Sequence, residues 1–329
     1  MTDNNLERLW DYDAVESGQT GTDTQVTLTA ENIVEYAAAS QNEESFYQKT
    51  GGYDSFNNPL TAMPTMVITY APLLRENIAE SSGFVALERS SIARRQTPFA
   101  KCEIRWFAPV FEGDIITGSR RVLEKYERRG SRFVTFRVGA LNQEAIRVAE
   151  YDYTCIFDYA KGQRSPQGQS AQPSGQVEEE IKTNGRASEY PDLVVGDSLT
   201  PLVITESTEV ILRKDALRLA GVPSTSNIHT DEEFARQNIF GGAVNAGPST
   251  MSYVDQMLQR TFPPEAFYSG GKLLMRAITP FKAGDVVNFT GEVTKIREEE
   301  LKRFLDCRVK GINQLGELVC LADATLVAG

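Results

Sequence analysis

The chain has 329 residues, 41% of them apolar and 24% charged, which is room for two cores of ordinary domain size. Its formal charge of −11 argues against nucleic acid or an anionic membrane as a main partner, because both select basic surfaces. The polar, acidic start MTDNNLERLWDYDAVE lacks the basic and apolar regions of a secretory signal, and no apolar run approaches the roughly 18–20 residues that span a bilayer, so a cytoplasmic protein is expected.

In chain order, the first expected element is a helix over residues 29–40, TAENIVEYAAAS, with Thr29 suited to the N-cap and Ile33, Val34 and Ala37 forming an apolar stripe. A second helix is expected to start at Pro64, in PTMVITYAPLLREN. Strands follow. Residues 161–190, rich in Gln, Ser, Gly and Pro, read as a flexible linker between a first domain, 1–160, and a second, 191–329. In the second domain Arg213–Leu219 takes the place of the first helix, and a helix starts at Pro248 in PSTMSYVDQMLQR. ITPFKAGDVVNFTGEVTKI then places a Gly-Asp turn before alternating apolar and polar positions, and FLDCRVKGINQLGELVCLADATLV reads as a hairpin turning between Asn313 and Gly316. The charged run Arg297–Glu300 falls at the strand connection before it and reads as a solvated turn.

The strand regions of the two halves repeat each other at a constant offset of 171. Arg105, Pro109, Gly113 and Asp114 match Arg276, Pro280, Gly284 and Asp285; Arg137-Val138 matches Arg308-Val309; Asn142-Gln143 matches Asn313-Gln314; Val148, Asp152 and Thr154 match Val319, Asp323 and Thr325. A register held from Arg105 to Thr154 without a gap marks a duplication, and helices followed by antiparallel strands make each copy an α+β unit. The four cysteines, Cys102, Cys155, Cys307 and Cys320, form no CxxC pair and have no histidine near in sequence, so reduced, buried thiols are expected rather than disulfides or zinc.

The only histidine of the chain, His229, lies in the polar segment PSTSNIHTD between two helical stretches. Downstream, FGGAVNAGP ends where the Pro248 helix begins, so the Gly247 amide is free to point at a ligand with the positive end of the helix dipole behind it. A histidine facing such an amide suits acid–base chemistry on a carbonyl compound; a tight loop-to-helix turn without a ligand is the alternative.

Ser224 to Gly247 resembles the signature of MaoC-like, hydratase 2-type, (R)-specific enoyl-CoA hydratases, with Ile228, His229, Asp231, Phe234, Ala235, Phe240, Val244 and Gly247 in register and Pro280-Phe281 and Gly284-Asp285 following. The first half resembles the FAS1-like dehydratase N-terminal domain that often precedes such a unit. The resemblance implies a double hotdog, in which a long central helix is wrapped by an antiparallel sheet twice in one chain. It implies a lyase that adds water syn across a trans-2-enoyl thioester, or removes it from a (3R)-3-hydroxyacyl thioester, with His229 acting on the water and the Gly247 N–H holding the thioester oxygen. The substrate would be an acyl-CoA or acyl-carrier thioester, without metal or further cofactor. In the first half Tyr47 aligns with His229 and Met63 with Gly247, so that copy is expected to be degenerate and to help shape the acyl pocket.

One departure bears on mechanism. The acidic position of the signature, five residues before the histidine, is Ser224, and its Asn-Pro pair is Ser226-Asn227. A serine hydroxyl near its ordinary pKa is a poor acid or base, and losing such a group lowers rates by roughly 10²- to 10⁴-fold. Asp255, two helical turns beyond Gly247, is expected to pair with His229 in its stead, with Ser224 or Asn245 orienting the water. Asn227, Asp231 and Asn245 are the expected substrate contacts, Asp231 also being a candidate helix cap. Arg94, Arg95, Lys101 and Arg105 are candidate cations for CoA, and a homodimer of such chains would cover sheet edges. A non-catalytic thioester-binding protein and a different thioester reaction, such as a thioesterase, stay open beside the hydratase.

Overall fold

A computed structural model describes residues 7–44, 47, 59–160, 190, 192–222, 226–237, 240–268, 270–299 and 302–328. The expected linker, apart from Tyr190, and Ser224 lie outside the described residues.

The first half contains β1 (Leu9–Trp10), β2 (Thr24–Thr27), α1 (Ala30–Ala39), α2 (Val67–Tyr70), α3 (Arg75–Ser81), β3 (Val85–Ala86), β4 (Phe99–Trp106), β5 (Ile115–Arg128), β6 (Ser131–Leu141) and β7 (Arg147–Asp158). The second contains β8 (Leu202–Thr205), α4 (Thr208–Ala216), α5 (Glu232–Gln237), α6 (Gly247–Gln259), β9 (Lys272–Ala277), β10 (Val286–Glu299), β11 (Lys302–Asn313) and β12 (Leu318–Ala328). Ten strands form one sheet in the order β2-β5-β6-β7-β4-β9-β12-β11-β10-β8, a palindrome of two equivalent sets of five, while β1 and β3 pair separately.

The sequence repeat becomes physical here. β5 and β10 begin and end 171 residues apart, and the two sets meet where β4 runs antiparallel to β9. In that pairing Glu103 faces Leu274, its own equivalent, while Lys101 faces Arg276 and Arg105 faces Lys272, so a local two-fold passes through the Glu103–Leu274 pair. The repeated polar residues build the same devices twice. Asp152 accepts from Arg105 and Arg137 at 2.7 Å each, as Asp323 accepts from Arg276 at 2.9 Å and Arg308 at 3.0 Å. Gln143 donates to Asp114 and accepts the Ile115 amide, as Gln314 does with Asp285 and Val286. Gly113 and Gly284 take φ of +92° and +89° in the turns before β5 and β10, a region open to glycine without strain. The repeat thus preserved what closes turns and binds neighbouring strands.

α1 lies where the sequence places it, with Thr29 and Asn32 forming a reciprocal capping box. Its counterpart α4 starts earlier than the expected Arg213, at Thr208, because the Ser207 side chain caps the Val210 amide. α6 also starts as expected, with proline in its first turn, and is buried all round from Ser249 to Leu258. Each fully buried apolar residue among them, such as Met251, Val254 or Leu258, contributes about 1.5–3 kcal/mol. The expected long helix from Pro64 is instead broken into a 3₁₀ turn at Pro64–Met66, the single turn α2, and α3. Pro72 is the cause: it brings no N–H and disfavours helical backbone at Ala71. The carbonyls freed by the break are used, Ala71 O by the Tyr151 hydroxyl at 2.7 Å and Pro72 O by Arg120 Nε at 3.1 Å. All four cysteines are buried free thiols.

Candidate active site

The turn that carries His229 is built by Asn227. Its Oδ1 accepts the His229 amide at 2.7 Å and the Thr230 amide at 3.1 Å, and its Nδ2 donates to both carboxylate oxygens of Asp215 at 3.1 Å. Asp231 ends the turn by capping α5, accepting the Phe234 amide at 3.0 Å and the Ser226 hydroxyl. Arg94 of the first half latches the segment from outside, donating to Ser226 O at 2.5 Å and Oγ at 2.9 Å, with its guanidinium 4.2 Å from the centre of the Phe234 ring.

The imidazole is fixed by one further bond. Nδ1 lies 2.8 Å from Val244 O. A carbonyl only accepts, so Nδ1 carries the proton and the Nε2 lone pair is left for chemistry. Burial lowers the His229 pKa from 6.5; the Val244 carbonyl and Asp215 oppose that shift, and Arg75 adds to it. A neutral imidazole with a free Nε2 is the form that accepts a proton.

Two cavities meet at this ring. One, of about 360 Å³, has an apolar wall made by Phe99, Phe133 and Ile156 of the first half and by Ile228, Phe240 and Val244 of the second. Gly247, Asn245 and Thr250 line the same cavity. The other, of about 280 Å³, carries charge, with Arg75, Glu88, Lys214 and Asp215 on its walls. His229 lines both.

At the start of α6 the amides of Ser249 and Thr250 turn back to Ala246 O at 3.0 and 3.2 Å, and Pro248 has none. The Gly247 N–H is therefore the first-turn donor that the helix does not use, and the helix dipole adds partial positive charge to it. Glycine is required there by contact, because a Cβ would overlap the Phe99 ring. Asn245 is buried beside it, its amide donating to Phe281 O at 2.6 Å while its side-chain Oδ1 has no partner among the described residues.

His229, Gly247 and Asn245 thus come together as the sequence suggests. Asp255 does not join them. It is fully buried, its Oδ2 accepting the Thr65 amide at 3.0 Å and hydroxyl at 2.6 Å and its Oδ1 accepting Gln259 Nε2 at 2.7 Å, and it lines neither cavity. The expected Asp255–His229 pair is corrected accordingly: the α6 face bearing Asp255 turns toward the first half. Two expected substrate contacts are corrected as well. Asp231 is the cap of α5, and the Asn227 amide is fully engaged by Asp215, His229 and Thr230. Nor do the candidate CoA cations gather at a mouth. Arg105 is held by Glu103, Glu150 and Asp152, Arg95 by Asp158 and Phe157 O, and Lys101 lies over Tyr126.

Asp215 is the residue that sequence reasoning missed. It lies within the expected helix Arg213–Leu219, but a loop separates it from His229, so no periodic spacing links the two. In the first half Tyr47 and Met63, at the positions of His229 and Gly247, are both buried, and the Tyr47 hydroxyl donates to Gln259 at 2.7 Å. Among the described residues no group of three or more His, Cys, Asp or Glu is placed to hold a metal ion, and no helix is long and apolar enough to cross a membrane.

No family model and no curated protein matches the sequence. Solved structures do match the fold. The chain is similar to a MaoC-like dehydratase, with a TM-score of 0.68 at 16% identity over 94% of this chain and 98% of that one. It is similar to a MaoC domain protein from Chloroflexus aurantiacus, with a TM-score of 0.63 at 14% identity over 100% and 99% of the two chains. A conserved protein from Mycobacterium tuberculosis described as having a double hotdog fold matches with a TM-score of 0.60 at 12% identity over 97% and 98%. The fold is a double hotdog of the α+β class.

Proposed function

We propose that the chain is a hydratase/dehydratase of trans-2-enoyl thioesters, with CoA or an acyl carrier as the thiol. One observation carries the reading: the free Nε2 of His229 and the unused N–H of Gly247 line one cavity of about 360 Å³ whose walls combine apolar and polar side chains. In hydration, Nε2 takes a proton from water as the water oxygen bonds to C3. The C2–C3 π electrons shift toward the thioester oxygen, whose developing charge the Gly247 N–H stabilises, and C2 then receives the proton from the imidazolium. Dehydration runs the same steps in reverse. The reaction is redox-neutral and its base is a protein imidazole, so the proposal includes no cofactor beyond the thiol of the substrate. The unpartnered Asn245 Oδ1 supports a water or substrate contact in the same cavity. The similarity to proteins named MaoC-like dehydratases is in keeping with this reading.

The test is a panel of trans-2-enoyl-CoA thioesters of increasing chain length, followed by loss of the conjugated enoyl absorbance, with His229→Ala as control. Turnover that falls at least about 100-fold in the variant supports the proposal. Release of free thiol instead identifies a thioesterase, and binding without turnover at every chain length identifies a thioester-binding protein.

A further inference from the structure

We propose that Asp215, acting through Asn227, is the positioning carboxylate of His229, taking over from outside the loop the acidic role that Ser224 cannot fill. The inference rests on the reading of His229 as the base.

Three observations converge on it. Asn227 Nδ2 lies 3.1 Å from each carboxylate oxygen of Asp215, and Asn227 Oδ1 accepts the His229 backbone amide at 2.7 Å. Asp215, Asn227 and His229 line the same cavity, so the carboxylate that holds Asn227 also puts its charge on the cavity the ring faces. Among the described residues no cation forms an ion pair with Asp215, whereas neighbouring charges are matched: Arg75 with Glu88 at 3.0 Å and Arg218 with Glu76 at 3.0 Å. The remaining cations on these walls are otherwise engaged, Lys214 by the Ser40 and Ser252 hydroxyls and Arg89 by Val222 O. The uncompensated negative charge on the cavity wall is therefore that of Asp215.

The chemical consequence follows from the proton taken up in the reaction. When Nε2 removes a proton from water, a positive charge appears on a ring already bonded through Nδ1 to a neutral carbonyl. Charge in such surroundings is costly unless an opposite charge faces it. Asp215 supplies that charge while its bond to Asn227 fixes the turn, so one carboxylate both orients the base and stabilises its protonated form. It does not touch the reacting atoms.

His229 is the sole histidine, so its ring can be titrated by NMR in the intact protein without assignment and without substrate. Asp215→Asn keeps an acceptor for Asn227 but removes the charge. The expected result is a downward shift of the His229 titration by about 0.5–1 pH unit, with the melting temperature little changed. On an active protein the acid limb of the kcat profile moves down with it, and kcat falls roughly ten-fold while KM holds. Asp215→Glu restores part of both. An unshifted titration in Asp215→Asn overturns the inference even if the wild type hydrates enoyl thioesters. A shifted titration in a protein inactive on every thioester sustains the Asp215–His229 relationship and sinks the hydratase reading instead.

Discussion

Asp255, on the central helix of the second half, closes the N-terminus of the broken helix of the first, accepting both the amide of Thr65 at 3.0 Å and its hydroxyl at 2.6 Å. Thr65 aligns with Ser249, and the residue aligned with Asp255 is Ala71, which offers no carboxylate in return. The anion place at the start of the first helix is thus filled from within the protein, while that of α6 stands open to a cavity. This asymmetry, together with Tyr47 and Met63, accounts for a duplicated fold with one candidate site.

Removing Asp255 tests that role. Asp255→Ala leaves the Thr65 donors and Gln259 Nε2 without their buried acceptor and takes a counter-charge from Lys214. The expected loss is about 3–5 kcal/mol, read from the midpoint of urea unfolding. The His229 titration stays where it is. A shift of that titration with stability preserved would restore Asp255 as a partner of the histidine.

Gly247 and Phe99 are coupled through contact between halves. Gly247→Ala pushes a methyl into the Phe99 ring and is expected to destabilise by about 1–3 kcal/mol. Phe99→Ala destabilises on its own by emptying part of the cavity wall. Made together, the two changes relieve the overlap, so the double variant is more stable than the sum of the singles by about 1 kcal/mol or more. Strict additivity in a double-mutant cycle would show that the backbone at Gly247 yields without strain.

Glu206 gives the protein a pH-dependent weakness away from the site. It is buried, accepts the Tyr253 hydroxyl at 3.0 Å and the Ser207 amide at 3.1 Å, and burial raises its pKa from 4.5 to about 7. The folded state therefore favours the protonated acid. That contribution is complete below pH 4.5 and is lost as the pH rises through about 7. Glu206→Gln is neutral throughout, so its stability relative to wild type should climb across that window by up to about 3 kcal/mol. Urea midpoints measured at both ends of the window decide the matter, and parallel pH profiles would sink it.

Much of the scaffold is legible in the sequence because it is written in local signals. Thr29 as a cap, Pro248 opening a helix, and the Gly-Asp and Asn-Gln turns each act within a few residues, and the offset of 171 repeats those turns in two equivalent sets of strands. The break at Pro72 was also written locally, in the proline inside the expected helix. His229 and Gly247 were legible for a similar reason, a lone histidine and a glycine before a helix-opening proline. Asp215 and Asp255 were not. What each does depends on which face of its helix meets the other half or the loop, and that is decided by packing among elements distant in sequence. Asp255 even shares a helix with Gly247, yet Thr65, from the other half, determines its partner.

Asn245 separates stability from function most directly. Among the described residues its Oδ1 is buried without a partner and its Nδ2 reaches only Thr250 Oγ1 at 3.5 Å, so the side chain gives the fold little in return for being desolvated. Replacement by a near-isosteric apolar residue removes an unmet hydrogen bond rather than a satisfied one. Asn245→Leu is therefore expected to leave stability unchanged or to raise it by up to about 1 kcal/mol, while kcat/KM on an enoyl thioester falls roughly ten-fold or more. Unfolding midpoints and initial rates on the same preparation check both halves of the statement. Loss of stability with turnover intact would make Asn245 a structural residue and remove its Oδ1 from the proposed contacts with water or substrate.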